Sequence, residues 1–273
     1  MKIWLDGTLQ DLEAARVSVF DHGLTVGDGI FETVKSVDGK PFALTRHLDR
    51  LVRSARGLGL PEPDLDEVRR ACDAVLAANP MPLGRLRITY TGGLSPLGSD
   101  RGEAGATLVV ALGEATRRPD STATVTVPWT RNERGALTGL KTTSYAENVV
   151  ALARAREQGA SEALFANTVG QLCEGTGSNV FVVLDGEVHT PPVASGCLAG
   201  ITRALAVEWT GAKETDLPLD VLERADEIFL TSTLRDVQGV HRVDGRELPG
   251  APGPVTAKAM RVFDERAADD LDP

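Results

Sequence analysis

Lysine is scarce in this chain: Lys2, Lys35, Lys40, Lys141, Lys213 and Lys258 are all it has. Chemistry that needs an amine nucleophile therefore has few candidates, and Lys141 stands in the most suggestive setting, Gly139-Leu140-Lys141-Thr142-Thr143-Ser144. A lysine after an apolar strand end, beside small hydroxyl residues, could be buried with the depressed pKa that Schiff-base chemistry needs; the plain alternative is a surface lysine. A second group of residues runs from Glu174 to Arg203. Glu174-Gly-Thr-Gly-Ser-Asn179-Val-Phe181 leads through a hairpin to Val188-His-Thr190, and Leu198-Ala-Gly200-Ile201-Thr202-Arg203 follows. The last stretch reads as a turn into a helix that begins at Thr202, and the amides and dipole of such a helix start bind phosphate. Taken singly, it is an ordinary N-cap, and Glu174 is an exposed loop acid. Taken together, an amine, a phosphate-binding turn and a carboxylate are the set that pyridoxal phosphate demands. The amine condenses with the aldehyde, the turn anchors the phosphate, and the carboxylate keeps the pyridine nitrogen protonated.

Other chemistries fit less well. The four histidines (His22, His47, His189, His241) form no HExxH and no close pair with a cysteine, so no metal site is expected. There is no GxSxG and no GxxxxGK(S/T). Gly175-Thr176-Gly177-Ser178-Asn179-Val180 begins like a dinucleotide fingerprint but ends in valine and precedes a strand rather than a helix. A net charge of −10 disfavours nucleic acid, and no apolar run is long enough to span a membrane. Cys72, Cys173 and Cys197 form no CxxC; Cys173 and Cys197 read as small packing residues, and Cys72 falls on the apolar face of a helix. The N-terminus acquires charge and glycine too early for a secretory signal, so a cytoplasmic enzyme is the expectation.

The elements that must position these residues suggest an α+β chain of 273 residues in two domains. Lys2 to Leu5 and Gly29 to Val37 read as strands followed by Asp-Gly turns. Alternation along the second places Phe31, Thr33 and Lys35 on one face. Helices are expected over Thr45 to Leu60, with Thr45 as N-cap, and over Leu65 to Ala78. Strands follow at Arg85 to Thr91 and Ala106 to Leu112. These give a small N-terminal domain over 1–112, a polar linker over 113–121, and a larger cofactor-binding domain over 122–273. In the latter, strands are expected at Thr122 to Trp129, Leu164 to Asn167, Asn179 to Leu184, Val188 to Thr190 and Glu227 to Thr231. Helices are expected at Ala146 to Gln158, Thr202 to Thr210 and Thr256 to Ala268.

The Glu174 to Arg203 stretch, with its spacings from Asn179 to Thr190 and from Thr190 to Gly200, resembles the signature of the class IV aminotransferases. These are fold-type IV pyridoxal-phosphate enzymes that include D-amino-acid, branched-chain and (R)-amine transaminases and 4-amino-4-deoxychorismate lyase. The likeness extends to Asp21-His22-Gly23, Gly27 to Thr33, His47 to Leu51, Lys141 to Val149 and Phe229 to Thr233, nearly the whole chain. It implies that Lys141 forms the internal aldimine and shuttles the proton between Cα and C4′, and that Glu174 contacts the pyridine nitrogen. It further implies that Arg50, the Gly200-Ile201-Thr202 turn and Thr233 hold the phosphate. Arg50 suits that role on its own chemistry, although a solvated arginine is its plain reading. A homodimer with its active site at the subunit and domain interface is implied as well.

The resemblance leaves the reaction open. It places Phe31 in the substrate pocket, where Thr33 and Lys35 would join it. D-amino-acid transaminases of the usual pattern carry a tyrosine at the Phe31 position, with an arginine and a histidine after the strand matching Arg85 to Thr91. This chain has Thr91-Gly92-Gly93-Leu94 there, so Lys35, Arg87 or Arg101 is left to bind a substrate carboxylate. The Thr91-Gly92-Gly93 loop itself looks like that of chains called aminodeoxychorismate lyases. The expected activity is transfer of an amino group from a D-amino acid, or an (R)-amine, to a 2-keto acid. The lyase, releasing pyruvate and 4-aminobenzoate, is the alternative. A noncatalytic cofactor-binding dimer is the alternative of another class.

Overall fold

The chain, described over residues 1–273 in a computed structural model, folds as two units. The first comprises 1–116 with the returning segments Leu140–Tyr145 and Leu271–Pro273. Its strands are β1 (Lys2–Leu5), β2 (Thr8–Asp11), β3 (Gly29–Val37), β4 (Lys40–Pro41), β5 (Leu83–Thr91) and β6 (Thr107–Glu114), with helices α1 (His22–Thr25), α2 (Leu44–Leu58) and α3 (Leu65–Ala78). They form one antiparallel sheet in the order β2-β1-β6-β5-β3-β4. The pleat sends Ile30, Val34, Leu86, Ile88 and Val110 into a core with Leu48, Leu51, Val68 and Val75 of α2 and α3. The alternate residues Phe31, Thr33, Lys35, Arg85, Arg87 and Thr89 share the other face, with Thr33 directly opposite Arg87.

Two local expectations change here. Thr45 is inside α2, whose N-cap is Ala43 in the left-handed region with no side-chain cap. The capping role passes to the C-terminal segment: Asp272 accepts from the Thr45 amide at 2.8 Å, and the Leu271 carbonyl accepts from the Ala43 amide at 2.7 Å. In addition, β6 runs to Glu114, beyond the expected strand end at Leu112.

The second unit comprises 117–139 and 146–270. Its strands are β7 (Ser121–Arg131), β8 (Glu162–Asn167), β9 (Leu172–Gly175), β10 (Asn179–Leu184), β11 (Glu187–Thr190), β12 (Lys213–Glu214), β13 (Glu227–Ser232), β14 (Asp236–Val243) and β15 (Arg246–Glu247). They form a mixed sheet in the order β12-β11-β10-β13-β14-β7-β8-β9, with β15 paired to β14; β14, β7 and β8 are mutually parallel. Helices α4 (Ala146–Glu157), α5 (Ile201–Thr210), α6 (Val221–Arg224) and α7 (Pro254–Asp269) complete it. One apolar cluster joins Leu164, Val180, Val182, Ile228, Leu230 and Val240; a second joins Val125, Ala151, Ala155, Ala163 and Phe165. No helix is long and apolar enough to cross a membrane.

Candidate active site

The first unit holds Lys141 against β3, and the backbone does the holding. The Lys141 carbonyl accepts from the Phe31 amide at 3.0 Å, Thr142 bridges Ile30, and the Thr143 amide donates to the Gly29 carbonyl at 2.8 Å. On the other side, the Lys141 amide donates to Ser54 Oγ of α2 at 3.2 Å. Leu140 anchors the segment by lying close over α2. A Cβ on Gly57 would meet its Cδ2 at 2.5 Å, which accounts for a glycine in the last turn of that helix. Lys141 thus sits in a segment docked on a sheet, not at the end of an apolar strand as the sequence suggested.

Aromatic rings define what surrounds its amine. Nζ of Lys141 lies 4.3 Å from the Phe31 ring centroid and 5.7 Å from that of Tyr145, and the two rings meet edge to face at 5.1 Å. The Arg87 guanidinium lies over the same Phe31 ring at 4.1 Å. Arg87 is half-buried, and none of its guanidinium N–H groups meets an acceptor of the chain. Burial accordingly pushes its pKa down. The other cations weighed for this role are engaged elsewhere. Arg101 grips Asp28 through two nitrogens, at 2.7 and 2.6 Å, and Lys35 lies over the Phe42 ring at 5.2 Å. Thr33, opposite Arg87, completes this face.

Behind β3 lies a charged group that pattern reading did not single out. Glu32 occupies a core position, fully buried, and takes two hydrogen bonds from Arg50, each 2.7 Å, with a third contact of 2.7 Å from His47 Nδ1. Burial alone would raise the Glu32 pKa. The charge and hydrogen bonds of Arg50, aided by His47, outweigh it and hold the carboxyl well below the usual range. His47 is shifted down by its burial despite Glu32, so its neutral form is the favoured one at pH 7. Arg50 is therefore a buried, oriented guanidinium rather than a solvated one. The clue was available in the sequence: an acid at a core position of an alternating strand must be paired.

In the second unit, Glu174 lies on β9 opposite Phe165 of β8, and not on an exposed loop. Its Oε2 accepts from the Leu198 amide at 2.9 Å, while the Leu198 carbonyl accepts from Asn179 Nδ2 at 2.8 Å. One residue thus ties the carboxylate, the start of β10 and the turn before α5 together. Gly200 is the N-cap of α5 and contributes no side-chain cap; a Cβ there would stand 2.1 Å from Asn179 Oδ1. The helix begins at Ile201, one residue before the expected start, so the amides of Ile201 and Thr202 belong to its first turn. Thr233 lies in the β13–β14 turn. Nearby Arg235 pairs with buried Glu162 at 3.2 Å, and Glu162 also accepts from the Thr176 amide at 2.9 Å and Ser178 Oγ at 3.0 Å. A single buried carboxylate therefore fixes both the turn after Glu174 and the turn that carries Thr233. An uncapped start to a ten-residue helix, built around a glycine that admits no side chain, fits a phosphate.

The model of the amino-transferase class IV family matches residues 29–243. A Methanocaldococcus jannaschii protein assigned as a branched-chain-amino-acid aminotransferase is 34% identical over 96% of this chain and 95% of its own length. A bifunctional aminodeoxychorismate lyase / D-amino acid transaminase of Mycobacterium tuberculosis is 31% identical, covering 92% of this chain and 94% of its own. The crystal structure of a branched-chain aminotransferase from Thermoproteus uzoniensis with norvaline superposes with a TM-score of 0.90. It is 29% identical and covers 97% of this chain and 94% of that one.

Proposed function

This chain belongs to the class IV aminotransferase family, pyridoxal-phosphate enzymes of fold type IV, and we propose that its own reaction moves the amino group of a D-amino acid to a 2-keto acid. When bound, the cofactor supplies an electron-accepting ring that makes the substrate Cα–H acidic. Lys141 Nζ is the amine that would hold the cofactor and then take and return the donor's Cα proton. Glu174, fixed by the Leu198 amide, would meet the ring nitrogen. The amides of Ile201 and Thr202 after Gly200, with the Thr233 hydroxyl, would bind the phosphate, and Arg50, oriented by Glu32, would add positive charge to it.

Arg87 carries the substrate reading. A half-buried guanidinium with no acceptor in the chain, beside the ring that also carries Lys141, is placed for a donor with a carboxylate rather than a simple amine. The polar and basic residues of that sheet face are Thr33, Lys35, Arg85 and Thr89, beside Phe31 and, on β6, Val109 and Ala111. The same cations favour one second reading, the lyase, whose substrate aminodeoxychorismate carries two carboxylates. The deciding experiment adds D-alanine, without a keto acid, to the yellow holoenzyme. Loss of the visible cofactor band with release of pyruvate is the expected result. A band that persists, but yields pyruvate and 4-aminobenzoate once aminodeoxychorismate is added, would replace the transaminase with the lyase.

A homodimer is part of this proposal. Val17, Val19, Phe20 and Leu24 are exposed, as are Leu94 and Leu97. The two segments are neighbours, since Asp21 bridges Leu94 and the Ser95 amide donates to the Phe20 carbonyl at 3.1 Å. An apolar surface of this kind calls for a partner, and a second copy is the one the reading assigns. Sedimentation equilibrium at micromolar concentration should return twice the 28.9 kDa chain mass. Val19→Asp with Leu97→Asp should halve that value, and a monomeric wild type would refute the dimer.

A further inference from the structure

Arg131 had no place in the sequence-based site. It is the last residue of β7, and a register shift between Thr126 and Thr130 re-aims the end of that strand against β8. Beyond the shift, Arg131 pairs with Asn167 of β8, while Phe165 of β8 pairs with Glu174 of β9. Pairing across neighbouring strands puts all four side chains on one face. Arg131 therefore reaches over β8, its guanidinium 4.0 Å from the Phe165 ring centroid, to bring Nε within 3.2 Å of Glu174 Oε1. Its Nη1 meets Glu147 of α4 at 2.5 Å.

The details of that approach decide what Arg131 can do. Nε lies within ion-pair distance of Glu174 but makes no aligned hydrogen bond, whereas the Leu198 amide makes a 2.9 Å bond to the other oxygen. The amide thus supplies direction, and the arginine supplies charge. The Arg131 side chain is only 14% exposed and rests on an aromatic ring, so water screens that charge weakly.

We propose that Arg131 is a positioning residue for Glu174: its charge keeps the carboxylate ionised and weakly basic, so that the proton shared with the cofactor's ring nitrogen stays on nitrogen. This rests on the reading that Glu174 faces that nitrogen. One proton and two bases are involved, and lowering the basicity of the carboxylate moves the proton to the ring. A protonated ring is the better electron acceptor, so Arg131 raises the rate of Cα proton loss without touching substrate. Because it acts as a charge and not as a fork of donors, lysine should replace it in part, unlike the usual outcome at a bidentate arginine site.

The test loads wild type, Arg131→Met, Arg131→Lys and Glu174→Gln with 15N-labelled pyridoxal phosphate and reads the ring-nitrogen chemical shift. Wild type should give the protonated value. Arg131→Met should move towards the unprotonated value and slow the donor half-reaction about tenfold or more at unchanged KM. Arg131→Lys should stay near wild type in both, which a purely structural role for the guanidinium would not produce. If Glu174→Gln moves the signal and neither Arg131 variant does, the role of Arg131 falls and the reading of Glu174 stands. If Glu174→Gln leaves the signal unmoved, Glu174 does not face the nitrogen and both fall. Arg131→Gln, closer in shape, takes the place of the methionine variant should that one unfold, and carries the same expectation.

Discussion

Substituting Lys141 by alanine should lower turnover by about 10⁴-fold or more while the chain still folds. The first half follows from the scarcity of amines near the Phe31 ring: Lys141 Nζ is 4.3 Å from its centroid, and the only other cation over that ring is the guanidinium of Arg87, which stays protonated at neutral pH. The second half follows from how the segment is held. Its hydrogen bonds to Phe31, Gly29 and Ser54 all use the backbone of residues 141 and 143, and Leu140 supplies the packing over Gly57. Shortening the Lys141 side chain leaves each of these intact. The checks are a steady-state assay with D-alanine, a melting temperature, and the visible cofactor band, which should be lost on dialysis in the variant but not in wild type. Activity within tenfold of wild type would sink the assignment of the amine.

Arg87→Met should have the next largest effect, and it should be selective. If the guanidinium binds the donor's carboxylate, kcat/KM for D-alanine should fall by about 10²-fold, the scale of a charge-assisted bidentate contact in a partly dry site. A primary (R)-amine of similar size, which has no carboxylate to lose, should fall by less than about threefold. Arg87→Lys should lie between, since a point charge replaces part of the fork. Competition assays with the two donors measure this directly. Equal losses for both would mean that Arg87 only supports the Phe31 ring.

How much of this was legible in the sequence varies with the distance over which the physics acts. The Glu174 to Arg203 stretch is local: strand, hairpin, turn and helix start follow one another, and β10 runs over Asn179–Leu184 as its short apolar run predicts. The β3 face was legible for the same reason, since period-two alternation needs no partner. Helix α3 carries its own cap, Asp64, which accepts from the amides of Asp66 and Glu67, and its span of Leu65–Ala78 agrees with the pattern. Helix α2 does not carry its own, and the Asp272 that serves its first turn lies 227 residues away. Strand β14 escaped notice because it is interrupted by Gly239 and reads as a turn-rich tail, yet it pairs with both β13 and β7 in the middle of its sheet. Arg131 was invisible for the deepest reason. Its approach to Glu174 depends on strand order β7-β8-β9 and on a register shift, and neither leaves a mark on composition or spacing.

The division of labour along β3 bears on how readily this enzyme could change its diet. Even-numbered positions from Ile30 to Ser36 are buried in the unit's interior, and the odd-numbered Phe31, Thr33 and Lys35 share the opposite face with Arg87. If the proposed substrate face is right, stability and selectivity are carried largely by alternate residues of the same nine-residue strand. On the proposed reading, substitutions at 33 or 35 should alter substrate preference at little cost to folding, whereas Glu32 couples the two, since it holds Arg50 from the interior side. Directed evolution confined to the odd positions of β3 and their partners on β5 should yield mostly folded variants with altered donors, and a library on the even positions should yield mostly insoluble protein.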